Sequence, residues 1–304
     1  EMLFSRTSLS RNVFTTICNF LPETSILDLR QVCKSVNEIV CSIVTTRSTT
    51  IDCLTLSEMG KLLIFQINIR KNLFLWRLYF IQTLQLFHLN LSDTLYNHFI
   101  TDSLVKVRLS FEDMGRVLEK LKPLVSHTTF YCLRAQSHYA LRSKIIRMYA
   151  EFLDGKDVRG VAIDPILYQK SEITPWLDLL EKVRCVHVTV HTQLNKDTLD
   201  SVLQLANMVV SLTIIVKCST YSKNCVVPFI KAMLQRKCRK LNFLCSDSPI
   251  SLGDAEMLLK FICHTTRKIS VRLYASSTRI EVPIGPYRLN STFYGLLSIK
   301  PIEN

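Results

Sequence analysis

From Val105 onward, short runs in which apolar and polar residues alternate are separated by longer runs with apolar residues three and four apart. The first kind are Val105–Leu109, Thr129–Leu133, Val158–Ile163, Arg184–Val190, Ser211–Val216, Lys240–Cys245 and Lys268–Leu273, which predict strands. Their starts lie 24 to 29 residues apart. The intervening runs predict amphipathic helices with recognisable starts. Thr174 is placed to cap a helix with Pro175 at its first position, ahead of Leu177, Leu179, Leu180 and Val183. Asn195 can cap Leu199, Val202, Leu203 and Leu205. Ser251 can cap a helix with Asp254 at its third position, followed by Met257, Leu258, Phe261 and Ile262. Upstream, Ile51–Leu56 alternates like a strand, Ser57–Leu63 predicts a short helix and Leu86–Leu91 a further strand.

The repeated unit is helix, basic turn, strand, loop. Such a period suits an α/β solenoid of the leucine-rich-repeat type, with strands in one parallel sheet and helices on its outside. A doubly wound α/β domain gives the same alternation with less even spacing, so the even spacing favours the solenoid.

The first residues read differently. Apolar positions Val13, Phe14, Ile17, Cys18 and Leu21 have helical spacing, and Pro22 and Glu23 interrupt them. Thr24 and Ser25 can cap a second helix carrying Ile26, Leu27, Leu29, Val32 and Cys33. A third apolar set follows at Val36, Ile39, Val40, Ile43 and Val44. Three short helices have too little core to bury these faces alone, so the segment is expected to dock on something.

Phe20-Leu21-Pro22 followed by Leu27-Asp28-Leu29-Arg30-Gln31-Val32-Cys33-Lys34 resembles an F-box. Ser10 stands where that family usually has Pro, and Val36 where it often has Trp. The resemblance implies a three-helix module that binds a Skp-type adaptor and through it a cullin. On this reading Leu9, Val13, Ile17, Leu21, Pro22, Ile26, Leu29, Val32 and Cys33 form the adaptor-binding face. The later repeats resemble the irregular leucine-rich-repeat-like repeats of F-box proteins, including the divergent nematode families. The Ser/Thr-rich joint Thr45–Thr50 then separates docking helices at 1–47 from a repeat domain at 48–304. The expected function is substrate recognition within a Skp–cullin–F-box ubiquitin ligase, without catalysis by this chain. The alternatives are a repeat scaffold with no ligase link and a basic nucleic-acid-binding protein.

Composition sharpens rather than replaces that picture. Hydrophobic residues make up 48% of the 304, with 7 Gly and 9 Pro, which argues against low-complexity disorder. Arg70, Lys71 and Arg77 interrupt the most apolar region, and no stretch reaches the roughly 18 apolar residues a membrane helix requires. The apolar part of the first residues is too short for a secretory signal. The 11 cysteines are odd in number and mostly sit in apolar runs, as free thiols do, so a cytoplasmic or nuclear location is expected.

The sequence contains no Gly-rich phosphate loop, G-x-S-x-G, H-E-x-x-H or C-x-x-C pattern. No metal or cofactor is expected. Cys263-His264 could in principle pair as nucleophile and base, but a core thiol and a helix-terminal histidine account for them.

The net charge is +13. Lys182 and Arg184, then Arg236, Lys237, Arg239 and Lys240, then Arg267 and Lys268 recur where a helix ends and a strand begins. Cations there complement helix C-termini, and stacked turns would build a basic rim suited to an acidic or phosphorylated partner. Aromatic interleaving of the kind single-strand binders use is missing, which argues against nucleic acid. Polar residues alternating within strands, Arg108, Tyr131, Arg159, His187, Thr189, Thr213, Asn242 and Arg272, are the candidates for a substrate-binding sheet face.

Overall fold

The computed structural model describes residues 49–60, 62–71, 99–100, 104–125, 128–219, 223–245, 251–265, 268–274, 281–284, 286–291 and 296–302, together with Thr16. The F-box-like segment, including the nine adaptor-face residues, and the strand expected at Leu86–Leu91 lie outside the described residues. Among those described, the protein is a mixed α/β structure with a large sheet and six α-helices. It forms two compact units, one of Glu1–Thr55 and Met59–Tyr131, the other of Leu56–Glu58 and Cys132–Asn304.

In the first unit, β1 (Thr49–Met59) and β2 (Leu62–Lys71) are joined at Gly60. The positive φ of 62° at Gly60 is a conformation glycine adopts without strain. This turn replaces the short helix expected at Ser57–Leu63. Leu63, Phe65 and Ile67 are buried while Ile64 and Gln66 are half-buried, so burial follows a period of two there. After β3 (Phe99–Ile100), β4 (Leu104–Leu109) pairs antiparallel with β2, setting Leu63 opposite Leu109 and Phe65 opposite Val107. Ser110 then caps α1 (Phe111–Leu121), accepting from the Asp113 amide at 3.1 Å. α1 buries Met114, Val117, Leu118 and Leu121.

Each remaining strand is followed by one of the helices as far as β10. In order these are β5 (Thr128–Ala135), α2 (Ser143–Phe152), β6 (Asp157–Leu167), α3 (Lys170–Lys182), β7 (Arg184–Leu194), α4 (Lys196–Met208), β8 (Ser211–Ser219), α5 (Lys223–Leu234), β9 (Lys240–Cys245), α6 (Leu252–Cys263) and β10 (Ser270–Tyr274). The chain closes with β11 (Glu281–Ile284), β12 (Tyr287–Ser291) and β13 (Leu296–Pro301). From β6 to β10 each strand pairs in parallel with the next in sequence. Within β6 to β10 the strand order follows the sequence without reversal, unlike a doubly wound sheet, whose order turns back at a switch point. α2 packs beside α3, α3 beside α4, α4 beside α5 and α5 beside α6, so these helices form one layer. Past β10 the direction changes: β13 pairs antiparallel with β10, β12 with β13 and β11 with β12.

Local chemistry explains the helix boundaries. Asn195 Oδ1 accepts from the Asp197 and Thr198 amides at 2.9 and 3.0 Å, and Ser251 Oγ from the Asp254 amide at 3.2 Å, as the sequence predicts. The α3 start differs. Glu172 Oε2 accepts from the Tyr168 and Gln169 amides at 2.6 and 3.1 Å, so the helix begins at Lys170 and Pro175 lies inside it. Thr174, expected as the cap, instead donates its hydroxyl to the Lys170 carbonyl at 2.9 Å.

Candidate functional site

Parallel register converts the strand pattern into rows that cross the second unit. One row, Val161–Val188–Leu212–Leu241–Val271, is buried under the helices and continues to Ile299 on β13. Burying each such side chain stabilises the fold by about 1.5–3 kcal/mol. The next positions point the other way and form the row Ala162–Thr189–Thr213–Asn242–Arg272, continued by Ser298. One step toward the strand starts lies Gly160–His187–Ser211–Lys240–Ser270. Both rows are half-buried or exposed, so among the described residues the face opposite the helices is polar and part-exposed.

Part of this face is internally bonded. His187 lies 2.8 Å by Nδ1 from Ser211 Oγ and 2.9 Å by Nε2 from Thr189 Oγ1. Burial lowers its pKa below the ordinary 6.5, favouring the neutral ring. Asn242 donates through Nδ2 to Thr213 Oγ1 at 2.9 Å.

The part of the face nearest β13 is different. A half-open concavity of about 950 Å³ is lined by Arg239, Lys240, Lys268, Arg272 and Lys300, with Ser211, Asn242, Ser270 and Ser298 among its polar groups. Among the described residues, no Asp, Glu or aromatic residue lines it. All five cations are exposed, and among the described residues none has an ion pair or a side-chain hydrogen bond. Topology gathers them. Because β8, β9 and β10 are parallel, their first residues share one edge of the sheet, and antiparallel β13 carries Lys300 to that same edge. Successive helix-to-strand turns are tied by backbone bonds, Arg239 N to Val210 O at 2.8 Å and Ser270 N to Arg239 O at 2.8 Å. The Ile302 amide donates to the Pro286 carbonyl at 2.8 Å and holds the end of β13.

The basic rim expected from the sequence is therefore uneven. Arg184 is paired with Asp157 at 2.9 Å and also donates to the Gly155 carbonyl at 3.3 Å. Lys237 donates to the Met208 carbonyl, in the last turn of α4, at 2.9 Å, the helix-end role expected of such cations. Arg239, Lys240 and Lys268 remain available.

Of the sequence-derived face candidates, Thr189, Thr213, Asn242 and Arg272 fall in one row and His187 in its neighbour. Arg159 does not join them: it shares the parity of buried Val161, and Ala162 takes the row position on β6. Arg108, opposite Ile64 on β4, and Tyr131, 37% exposed on β5, belong to the first unit and are not part of these rows. Lys300, Ser298, Ser211 and Ser270 were not expected. The alternating Leu296–Pro301 stretch was a strand signal for the first two, although it does not reveal which strand β13 meets.

Among the described residues, two thiols are tied up and hard to ionise. The Cys185 thiol donates to the His187 carbonyl at 3.1 Å and the Cys238 thiol to the Lys240 carbonyl at 3.3 Å. Burial raises both pKa values to about 11, which disfavours the reactive thiolate. Cys263 ends α6 and exposed His264 caps it. Among the described residues no three His, Cys, Asp or Glu side chains gather as a metal site, and no helix is long and apolar enough to cross a membrane. No family model, curated protein or solved structure matches this chain.

Proposed function

We propose that this chain is a non-catalytic substrate receptor of a Skp–cullin–F-box-type ubiquitin ligase. Residues 1–47 would dock on the adaptor, and the strand–helix units would act as a leucine-rich-repeat-like solenoid that holds a protein substrate. The observation that carries the binding role is the polar, part-exposed face of β6–β10, opposite a layer of helices. A sheet face with polar side chains, backed by packed helices, is a recognition surface of the kind solenoids offer. The ligase link rests on the Phe20–Lys34 pattern.

Co-expression with a Skp-type adaptor tests the link. The two proteins should co-purify, and Leu21→Asp or Leu29→Asp should each abolish the complex. Adaptor binding unchanged by both substitutions would overturn the assignment and leave a repeat scaffold without a ligase role. Deleting residues 1–44 separates the two further. A folded, soluble remainder supports a separate docking module, whereas an insoluble one supports a structural cap.

A further inference from the structure

We propose that the concavity formed by Arg239, Lys240, Lys268, Arg272 and Lys300 binds a peptide segment carrying two phosphoryl groups three residues apart. This names a ligand for the receptor surface proposed above and rests on that reading.

Charge sets the class of ligand. Five exposed cations with no carboxylate among them call for a concentrated anion. A phosphoryl group brings about −1.5 to −2 at neutral pH, so two or three balance the site, whereas single carboxylates would have to be packed five together. Both kinds of cation suit phosphate: Arg272 and Arg239 as planar forks, the lysines as mobile point charges. The floor adds the half-buried Ser270. Ser298 Oγ is shielded from solvent and has no hydrogen-bond partner, although its residue lines the cavity.

Spacing sets the pattern. Lys240 lies on β9 and Lys300 on β13, with β10 between them. Neighbouring strands are about 4.8 Å apart, so these two positions are separated by roughly 10 Å. A peptide in the extended polyproline II conformation rises about 3.1 Å per residue with about three residues per turn, which puts groups at i and i+3 on one side at nearly the same separation.

Two features favour a peptide over other polyanions. The polar row continues past the cavity through Thr213 to Thr189, a track that an extended chain can follow and a compact phosphate cannot use. Pro301 and Ile302, the latter 38% exposed, add an apolar lip beside the cations. A nucleic-acid strand would lack the aromatic platforms on which its bases stack.

The test is fluorescence-anisotropy titration of the full chain with a labelled Gly/Ala peptide bearing phosphoserines at i and i+3 and a leucine beyond them. The doubly phosphorylated peptide should bind about tenfold or more tightly than its singly phosphorylated form, and the unphosphorylated form should not saturate. Arg272→Ala with Lys300→Ala should weaken binding by about tenfold or more, while Arg134→Ala with Arg184→Ala should stay within about twofold. If the first pair fails to fold by circular dichroism, Arg272→Gln with Lys300→Gln serves instead, and the slope of log Kd against log salt should then fall. Equal binding by parent and cavity variants overturns the site. Tighter binding of tripolyphosphate or of a short single-stranded RNA than of the peptide overturns the ligand class. Adaptor co-purification is scored separately, so a receptor that binds the adaptor but not this peptide refutes this inference alone.

Discussion

On β5 to β7, Arg134 meets Asp164 at 2.7 Å and Arg184 meets Asp157 at 2.9 Å. Across β9, β10 and β13, five exposed cations share a concavity with no carboxylate among the described residues that line it. Both regions belong to the same sheet, with continuous rows and the same helix layer behind it. Secondary structure therefore cannot account for the difference. In the first region charges compensate one another across neighbouring strands. In the second, like charges are held together against their mutual repulsion by a backbone that is stable for other reasons. An arrangement that gains nothing for the fold is where a ligand's charge has most to contribute.

That comparison can be broken, beginning with the core. Leu212 on β8 and Leu273 on β10 are both fully buried, and Leu→Ala at either should cost about 2–5 kcal/mol in chemical denaturation. A much smaller loss at Leu273 would mean that the cationic region is less firmly built, and its charges would need a different explanation.

The next test moves the carboxylates. Ser270→Asp puts an acid opposite Lys240 in the register. It should stabilise the protein by about 0.2–1 kcal/mol, while Asp164→Asn, which breaks the pair with Arg134, should destabilise it by a similar amount. If Ser270→Asp instead lowers the melting temperature, the cations are not repelling one another.

A smaller effect is expected at Lys268, where Gln should raise stability by up to about 0.5 kcal/mol at low salt. The gain should vanish in high salt, where the repulsion is screened. A gain that persists in salt would point to packing rather than charge.

The smallest effect concerns pH, and it sharpens the boundary between the regions at His187. The folded pKa of His187 is below 6.5, so as pH falls through 6.5 the unfolded chain takes up the proton first. Stability from this group is present above 6.5 and lost as pH drops toward the folded pKa. Denaturation midpoints at several pH values should show a shallower decline between pH 7 and 5 in His187→Gln than in the parent. An unchanged decline would assign it to other groups.

Much of the second unit was legible because one sheet face is buried and the other is not. Val188, Val190 and Leu212, Ile214 alternate with polar or half-buried neighbours, and that period survives in the sequence. Asn195 and Ser251 were readable since a cap needs only its own first turn. Where meaning depended on a partner distant in the chain, the sequence was mute. Met59, Leu62 and Leu63 have helical spacing, but the positive φ at Gly60 folds them into a hairpin. Arg159 alternated convincingly with Val158 and Gly160, yet the register with β7 puts Ala162 in the polar row. Lys300 joins Lys240 and Lys268 because β13 arrives antiparallel, and nothing near Lys300 in the sequence specifies that. The concavity was visible as basic turns and invisible as an enclosure.

The reversal at β13 also has a consequence for exchange of backbone amides with water. β7 and β8 each lie between two parallel strands under packed helices, whereas β13 is held by antiparallel bonds to β10 and β12 near the end of the stack. Strands near the end of such a stack open locally more often than those within it. An anion held by Arg272 and Lys300 together would grip β10 and β13 at once, adding its binding free energy to their pairing. Protection of the β13 amides, rather than any movement of the sheet, would then record whether the site is occupied.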